Sequence, residues 1–228
     1  MRMNLLVAAS FSALVCLGGC AFTTAHTGEP SGEPPSRDGV YDRLISDNQT
    51  EIVQKAKAFI HDRHPVIEPG FPNIHIRSVS VEGAPQEDSQ VEGVLQSLNA
   101  GILGTRPDVP TWEVDVKVDF QFHEPSDTTK AITVAPEIVV CLGTIFIVCP
   151  VHYTEEVVME THVTLPDGRQ AQFASAGYAD LYESTALLES NDQRYKDKII
   201  ERNTAGLIAA IVGSADKMVD TFHGFSKQ

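Results

Sequence analysis

Positive charge is what this 228-residue chain most conspicuously lacks: 17 lysines and arginines stand against 31 aspartates and glutamates, a formal net charge of −14. Nucleic-acid binding rests on Lys and Arg neutralising phosphates, and the acidic residues here are scattered along the chain. That excludes a nucleic-acid partner and also electrostatic adhesion to anionic lipid. Long apolar runs are missing too. Leu5 to Val15 is too short to cross a bilayer, and the uncharged centre of the last predicted helix, Ala205 to Gly213, is shorter still. No Walker loop, no glycine-rich dinucleotide turn after a strand and no G-x-S-x-G elbow is present, so the commonest nucleotide and hydrolase chemistries lose their sequence support. Cysteine is sparse, with four residues at positions 16, 20, 141 and 149.

What is present begins at the N-terminus. Arg2 supplies a positive n-region, Leu5 to Val15 an apolar h-region, and Gly18 and Gly19 the small side chains that a signal peptidase needs before its cut. The stretch Leu17-Gly18-Gly19-Cys20 resembles the lipobox of bacterial lipoproteins. The resemblance covers residues 1–20. It implies that 1–19 are a signal peptide and that Cys20 becomes the lipidated first residue, carrying a thioether-linked diacylglyceryl group and an acylated amine such as palmitate. Two or three acyl chains hold a protein firmly, whereas one myristoyl chain is marginal. Ala21, standing where an Asp would signal inner-membrane retention, points by the same resemblance to the outer membrane and a domain facing the periplasm.

Residues 21–42 are rich in Gly, Pro, Ser and Thr and poor in large apolar groups, which predicts a flexible tether. With Cys20 they make a segment, 20–42, between the signal and a single domain over 43–228. In that domain Asn48 and Glu51 have the spacing of a capping box, followed by Ile52, Val53, Ala56, Phe59 and Ile60 at helical offsets and a stop at His64-Pro65. Ile74, Ile76, Val79 and Val81 predict a short strand. Val91, Val94, Leu95, Leu98 and Ile102 predict a second helix, ended by Gly104. Thr111 to Phe122 alternates apolar and polar residues throughout, the mark of a strand with one buried and one wet face. Val157 to Leu165 alternates again, and Leu165-Pro166-Asp167-Gly168 has the residues of a tight turn, so Arg169 to Tyr178 is expected back as the partner strand. A long helix from about Lys196 to Phe222 closes the chain. The fold class is α+β: a mixed, mainly antiparallel sheet with helices packed on one face.

Ile138 to Cys149 is apolar and rich in β-branched residues, with Gly143-Thr144 at its centre, which suits a hairpin reversing there. It is expected either to be buried or to expose Leu142, Ile145, Phe146, Ile147 and Val148 as an apolar contact for membrane or partner. Cys141 and Cys149 would lie about 26 Å apart on a straight strand, so a disulfide between them requires the chain to reverse. Cys149-x-x-His152 is the nearest approach to a thiol nucleophile or metal pair, and packing cysteines or a disulfide are the more frequent meaning of such a pattern. His61-x-x-His64 lacks metalloprotease spacing, and Glu155, Glu156 and Glu160, like Asp115 and Asp119, are expected on a wet sheet face.

These readings predict a lipid-anchored, non-catalytic envelope lipoprotein with no cofactor and no metal, acting as an accessory or scaffold component. Its expected partners are the membrane, through lipid on Cys20, and an envelope protein. The alternative is a periplasmic domain that binds an apolar ligand or lipid with the 138–151 segment, and a thiol or hydrolytic enzyme ranks behind both.

Overall fold

The computed structural model describes residues 22–32, 44–104, 106–123, 148–186 and 192–226. Five strands, β1 (Phe22–Gly28), β2 (Asn73–Val81), β3 (Thr111–His123), β4 (Val148–Thr164) and β5 (Gln170–Ala186), form one sheet in the order β1-β5-β4-β3-β2. All neighbours are antiparallel except β2 and β3. Three helices, α1 (Gln49–Arg63), α2 (Asp88–Ile102) and α3 (Asp192–Ser226), lie on one face. The class is α+β, with a mixed and mostly antiparallel sheet.

Local signals set most of these elements. Asn48 caps α1 by accepting from the Glu51 backbone N–H at 3.2 Å, and α1 buries Ile52, Ala56 and Ile60. Helix α2 carries the chain from the end of β2 to the start of the parallel strand β3, burying Val91, Val94, Leu95 and Leu98. The alternation of β3 places Trp112, Val114, Val116, Val118 and Phe120 under the helices and leaves Glu113, Asp115, Lys117 and Asp119 on the open face. Between Ile76 and Ser78 the register of β2 shifts, and the bulge keeps Ile74, Ile76 and Val79 on the core side. The β4–β5 hairpin turns at Leu165 to Arg169, closed by Gly168 N–H to Leu165 O at 2.9 Å, with Gly168 at φ 85°.

Helix α3 crosses β5 at unusually short range. A Cβ on Gly177 would stand 1.9 Å from the Gly206 carbonyl oxygen, so strand and helix backbones touch where neither residue has a side chain. The Ser175 hydroxyl donates to Ala210 O at 2.9 Å beside this contact and fixes the helix along the strand.

Two expectations change. Residues 22–28, read as part of a tether, instead pair with β5 from Phe22↔Tyr182 to Gly28↔Ala176. Composition argued against order because the segment has few large apolar groups. An edge strand needs little apolar area of its own, since a preformed neighbour supplies the hydrogen-bond partners, and Thr and Phe suit the pleat. Gly28 fits here because a Cβ would approach the Tyr178 ring to 2.7 Å. Strand β4 also begins earlier than its alternation suggested, so Val148, Cys149 and His152 belong to one strand running to Thr164. Cys20, Cys141, Leu142, Ile145, Phe146 and Ile147 lie outside the described residues, as does the proposed reversal at Gly143-Thr144.

The sheet has two distinct ends. At one, β1 starts, β2 and β3 finish and α2 and α3 begin. At the other, β3 starts, α2 and α3 finish and the β4–β5 turn lies.

Candidate functional site

At the second end of the sheet the helix layer does not close on the strands. A cavity of about 200 Å³ remains there, open on one side. Its floor is Ile74, Ile76, Val114, Val116 and Met159 of the sheet. Ile60 of α1, Leu95 and Leu98 of α2, and Ile211 and Met218 of α3 form the walls. Protein interiors are packed at crystal density, with few voids larger than a water.

Polar groups at the cavity are few. Thr161 and Ser214 hydroxyls bond each other at 3.1 Å across its sheet–helix seam. Asn99 donates from Nδ2 to Ile74 O at 2.6 Å, which fixes the orientation of its amide. Its Oδ1 is buried and has no hydrogen-bond partner among the described residues. A buried acceptor without a donor costs about 1–3 kcal/mol, so the cavity carries one unsatisfied acceptor among its lining residues.

The rim is the loop from His64 to Phe71, and two His–carboxylate contacts latch it to α3. His64 Nε2 meets Asp216 Oδ1 at 2.8 Å, and His223 Nε2 meets Glu68 Oε1 at 2.7 Å. Arg63 also pairs with Asp216. Phe71 packs on Phe222 with ring centroids 5.2 Å apart, and Phe222 lies against Trp112. Val66, on this loop and lining the cavity, is 75% exposed. A large aliphatic side chain held in water at the mouth of an apolar cavity lengthens its apolar surface outward.

A second depression of about 580 Å³ runs between β1, α1 and α3. Glu51, Lys55, Arg63, Asp197 and Glu201 line it, and Glu51 and Lys55 pair across one helical turn at 2.6 Å. It has the charged lining of a solvated furrow between two helices.

The carboxylates expected together on a wet face are divided between environments. Glu155 and Glu156 are both fully buried. Glu155 faces the helix layer and pairs with the equally buried Arg202 of α3 at 2.7 Å. Glu156, on the other face, accepts from the Ser31 backbone N–H at 2.8 Å and from the Tyr178 hydroxyl at 3.1 Å. The cause is alternation: two consecutive residues of one strand face opposite sides, and Glu155 shares the parity of Val157 and Met159. Asp115 stays on the open face, where the Arg77 guanidinium, bonded to it together with the Ser78 hydroxyl, holds its carboxyl below the usual range. His64 is half-buried against Asp216 rather than solvated at a helix end. Cys149 and His152 both lie on β4. Among the described residues no three His, Cys, Asp or Glu side chains converge as a metal site would require, and no helix is long and apolar enough to cross a membrane.

The cavity was invisible to sequence reasoning because each lining residue reads as ordinary core at helical or strand spacing. Parity along β4 did contain the signal for a buried Glu155.

No family model matches the chain, and no curated protein matches it. Among solved structures it is similar to the crystal structure of the rare lipoprotein B from Shewanella oneidensis, at 13% identity, over 67% of this chain and 96% of that one, with a TM-score of 0.27. A superposition that loose transfers no residue role.

Proposed function

We propose that this chain is a lipid-anchored, non-catalytic envelope lipoprotein whose domain holds one apolar chain or ring in the cavity beneath α1, α2 and α3. The observation that carries the binding reading is the cavity itself, with its aliphatic walls and its opening beside Val66. A dry cavity of roughly 150 Å³ takes up benzene, so about 200 Å³ admits a single ring or a short stretch of one acyl chain and excludes a whole two-chain lipid. Asn99 adds a selective feature, because an occupant with a hydroxyl or amide N–H near its buried end satisfies Oδ1. The anchor reading rests on Leu17-Gly18-Gly19-Cys20, and the outer membrane on Ala21.

Residues 138–147 lie outside the described residues, and the apolar-ligand reading here rests on the cavity in the helix–sheet interior.

A Cys20→Ala protein exported with an ordinary signal, extracted with organic solvent, should release an apolar compound in near-stoichiometric amount. The emptied domain should bind a fluorescent polyene fatty acid saturably, read by energy transfer from Trp112. Ala215→Phe, which fills the cavity from α3, should abolish binding while holding or raising the thermal midpoint, since cavity filling commonly gains about 0.5–2 kcal/mol. Undiminished binding by Ala215→Phe, with the fold intact, would remove the cavity as the site. For the anchor, palmitate label on the wild type and none on Cys20→Ala is the expected result.

A further inference from the structure

Five polar side chains line the cavity, those of His64, Glu68, Asn99, Thr161 and Ser214. His64 and Glu68 belong to the rim loop, and each is already bonded to α3, His64 to Asp216 at 2.8 Å and Glu68 to His223 at 2.7 Å. Thr161 and Ser214 are bonded to each other at 3.1 Å. Asn99 of α2 remains, and of its side chain only Nδ2 is engaged, 2.6 Å from Ile74 O. That bond fixes which way the amide lies and leaves Oδ1 a buried acceptor with no hydrogen-bond partner among the described residues. Among the described residues no lysine or arginine lines the cavity, and its one carboxylate, Glu68, stands on the rim.

We propose that the cavity selects a neutral apolar alcohol, which enters head-first and donates its hydroxyl proton to Asn99 Oδ1, and that Asn99 is the residue that sets this specificity. The proposal rests on the cavity being a binding site, as argued above. A hydroxyl is the smallest neutral group that supplies a donor, and a space of about 200 Å³ leaves little room for a larger head. An ether, ester or ketone offers acceptors only and leaves Oδ1 unpaired, and a site whose buried polar group goes unpaired rejects the analogue that lacks the donor. A charged head of either sign finds no counter-charge beyond the rim, and burying an unpaired ion costs far more than burying a neutral group. A fatty acid is therefore held tail-first, with its carboxylate in water outside the mouth. A single water is a poor occupant at Oδ1. A buried water typically makes about three hydrogen bonds, and the two hydroxyls of the cavity already bond each other.

Three ligands built on one chain separate head from tail: octanol, methyl octyl ether and octanoate. Each is titrated calorimetrically at neutral pH into the exported Cys20→Ala protein after solvent extraction. The ether is more apolar than the alcohol, so burial of apolar surface alone ranks it above octanol. The hydrogen bond to Asn99 should reverse that order and make octanol bind about ten-fold more tightly than the ether. Asn99→Leu keeps the bulk and removes the acceptor. It should weaken octanol about ten-fold and leave octanoate, held by its tail, unchanged. Octanol binding no tighter than the ether overturns the head-first reading, and so does an equal loss of octanol and octanoate in Asn99→Leu. If binding is saturable and Ala215→Phe abolishes it, either of those results leaves the cavity standing as the site. No binding of any of the three removes the cavity reading and this proposal together. If Asn99→Leu loses the circular dichroism of the unsubstituted domain, the octanol and ether affinities of that domain still decide the question.

Discussion

Gly177→Ala tests the closest contact in the fold. A Cβ there would meet Gly206 O at 1.9 Å, Ala210 N at 2.4 Å and the Ala209 Cβ at 2.9 Å. Two of those atoms are backbone of α3, so no rotamer change relieves them. Moving from 1.9 Å to an ordinary 3.4 Å contact means lifting the helix by about 1.5 Å, and a gap of even 0.5–1 Å forfeits a quarter to a half of each dispersion contact. The residues that lose contact are Leu207, Ala210 and Ile211, all buried on the sheet. Overpacking typically costs about 1–3 kcal/mol, and this backbone clash belongs at about 3 kcal/mol or beyond. For a domain of this size that lowers the thermal midpoint by about 6–12 °C, against the 0.5–1 kcal/mol that replacing a strand glycine would otherwise gain. Urea unfolding followed by circular dichroism gives the free energy. Gly224→Ala on the same helix meets nothing within 4 Å, so it should be neutral or stabilise by up to about 1 kcal/mol. Ala209→Gly should not rescue Gly177→Ala, since it removes only the third contact. A Gly177→Ala protein within 1 kcal/mol of wild type would refute the close approach of α3 and β5.

Other expectations concern charges and the hairpin. Glu155→Leu or Arg202→Met alone breaks a buried pair and should cost about 3–5 kcal/mol, whereas the double replacement should recover most of the loss; a double variant as unstable as the sum of the singles contradicts the pairing. Asp115→Asn should lose at most about 1 kcal/mol at neutral pH, as for an exposed ion pair. The Asp115 carboxyl titrates lower in the folded protein than its ordinary 3.8, so the stabilisation is present above that pH and vanishes as pH falls through the lower folded value. Denaturation curves of the two proteins, paired at a series of pH values, should therefore draw together as pH falls below 3.8. Gly168→Ala, at φ 85° in the β4–β5 turn, forces a side chain into the left-handed region at about 1–2 kcal/mol, with an equal midpoint for Gly168→Asn and Gly168→Ala as the contrary result.

Most of the element order was legible because its signals are local. The alternation from Trp112 to Phe122 found β3 to within a residue, and the Asn48 cap, the Pro166-Asp167-Gly168 turn and the small residues of α3 all declare themselves within a few positions. Helix α3 runs four residues further at each end than Lys196 to Phe222, and at its C-terminal end Phe225 extends the apolar stripe three residues past Phe222 and packs on Trp112. Strand β1 was missed because its order depends on Tyr182 to Ala176, far along the chain.

By itself the sequence determined an excess of acidic over basic residues and a set of helices and strands whose apolar faces all require one shared core. These are properties of neighbouring residues, and the periods of strand and helix make them readable in one dimension. The tertiary structure alone decided which faces meet and how well they close. Leu98, Met159 and Met218 each look like core, yet they border a cavity because α1, α2 and α3 diverge from the sheet at that end. Glu155 looks exposed, yet it is buried because Arg202 is delivered to it by a helix almost fifty residues later. Packing gaps and buried charge pairs are created by distances between elements, and those distances are set only when the whole chain has folded.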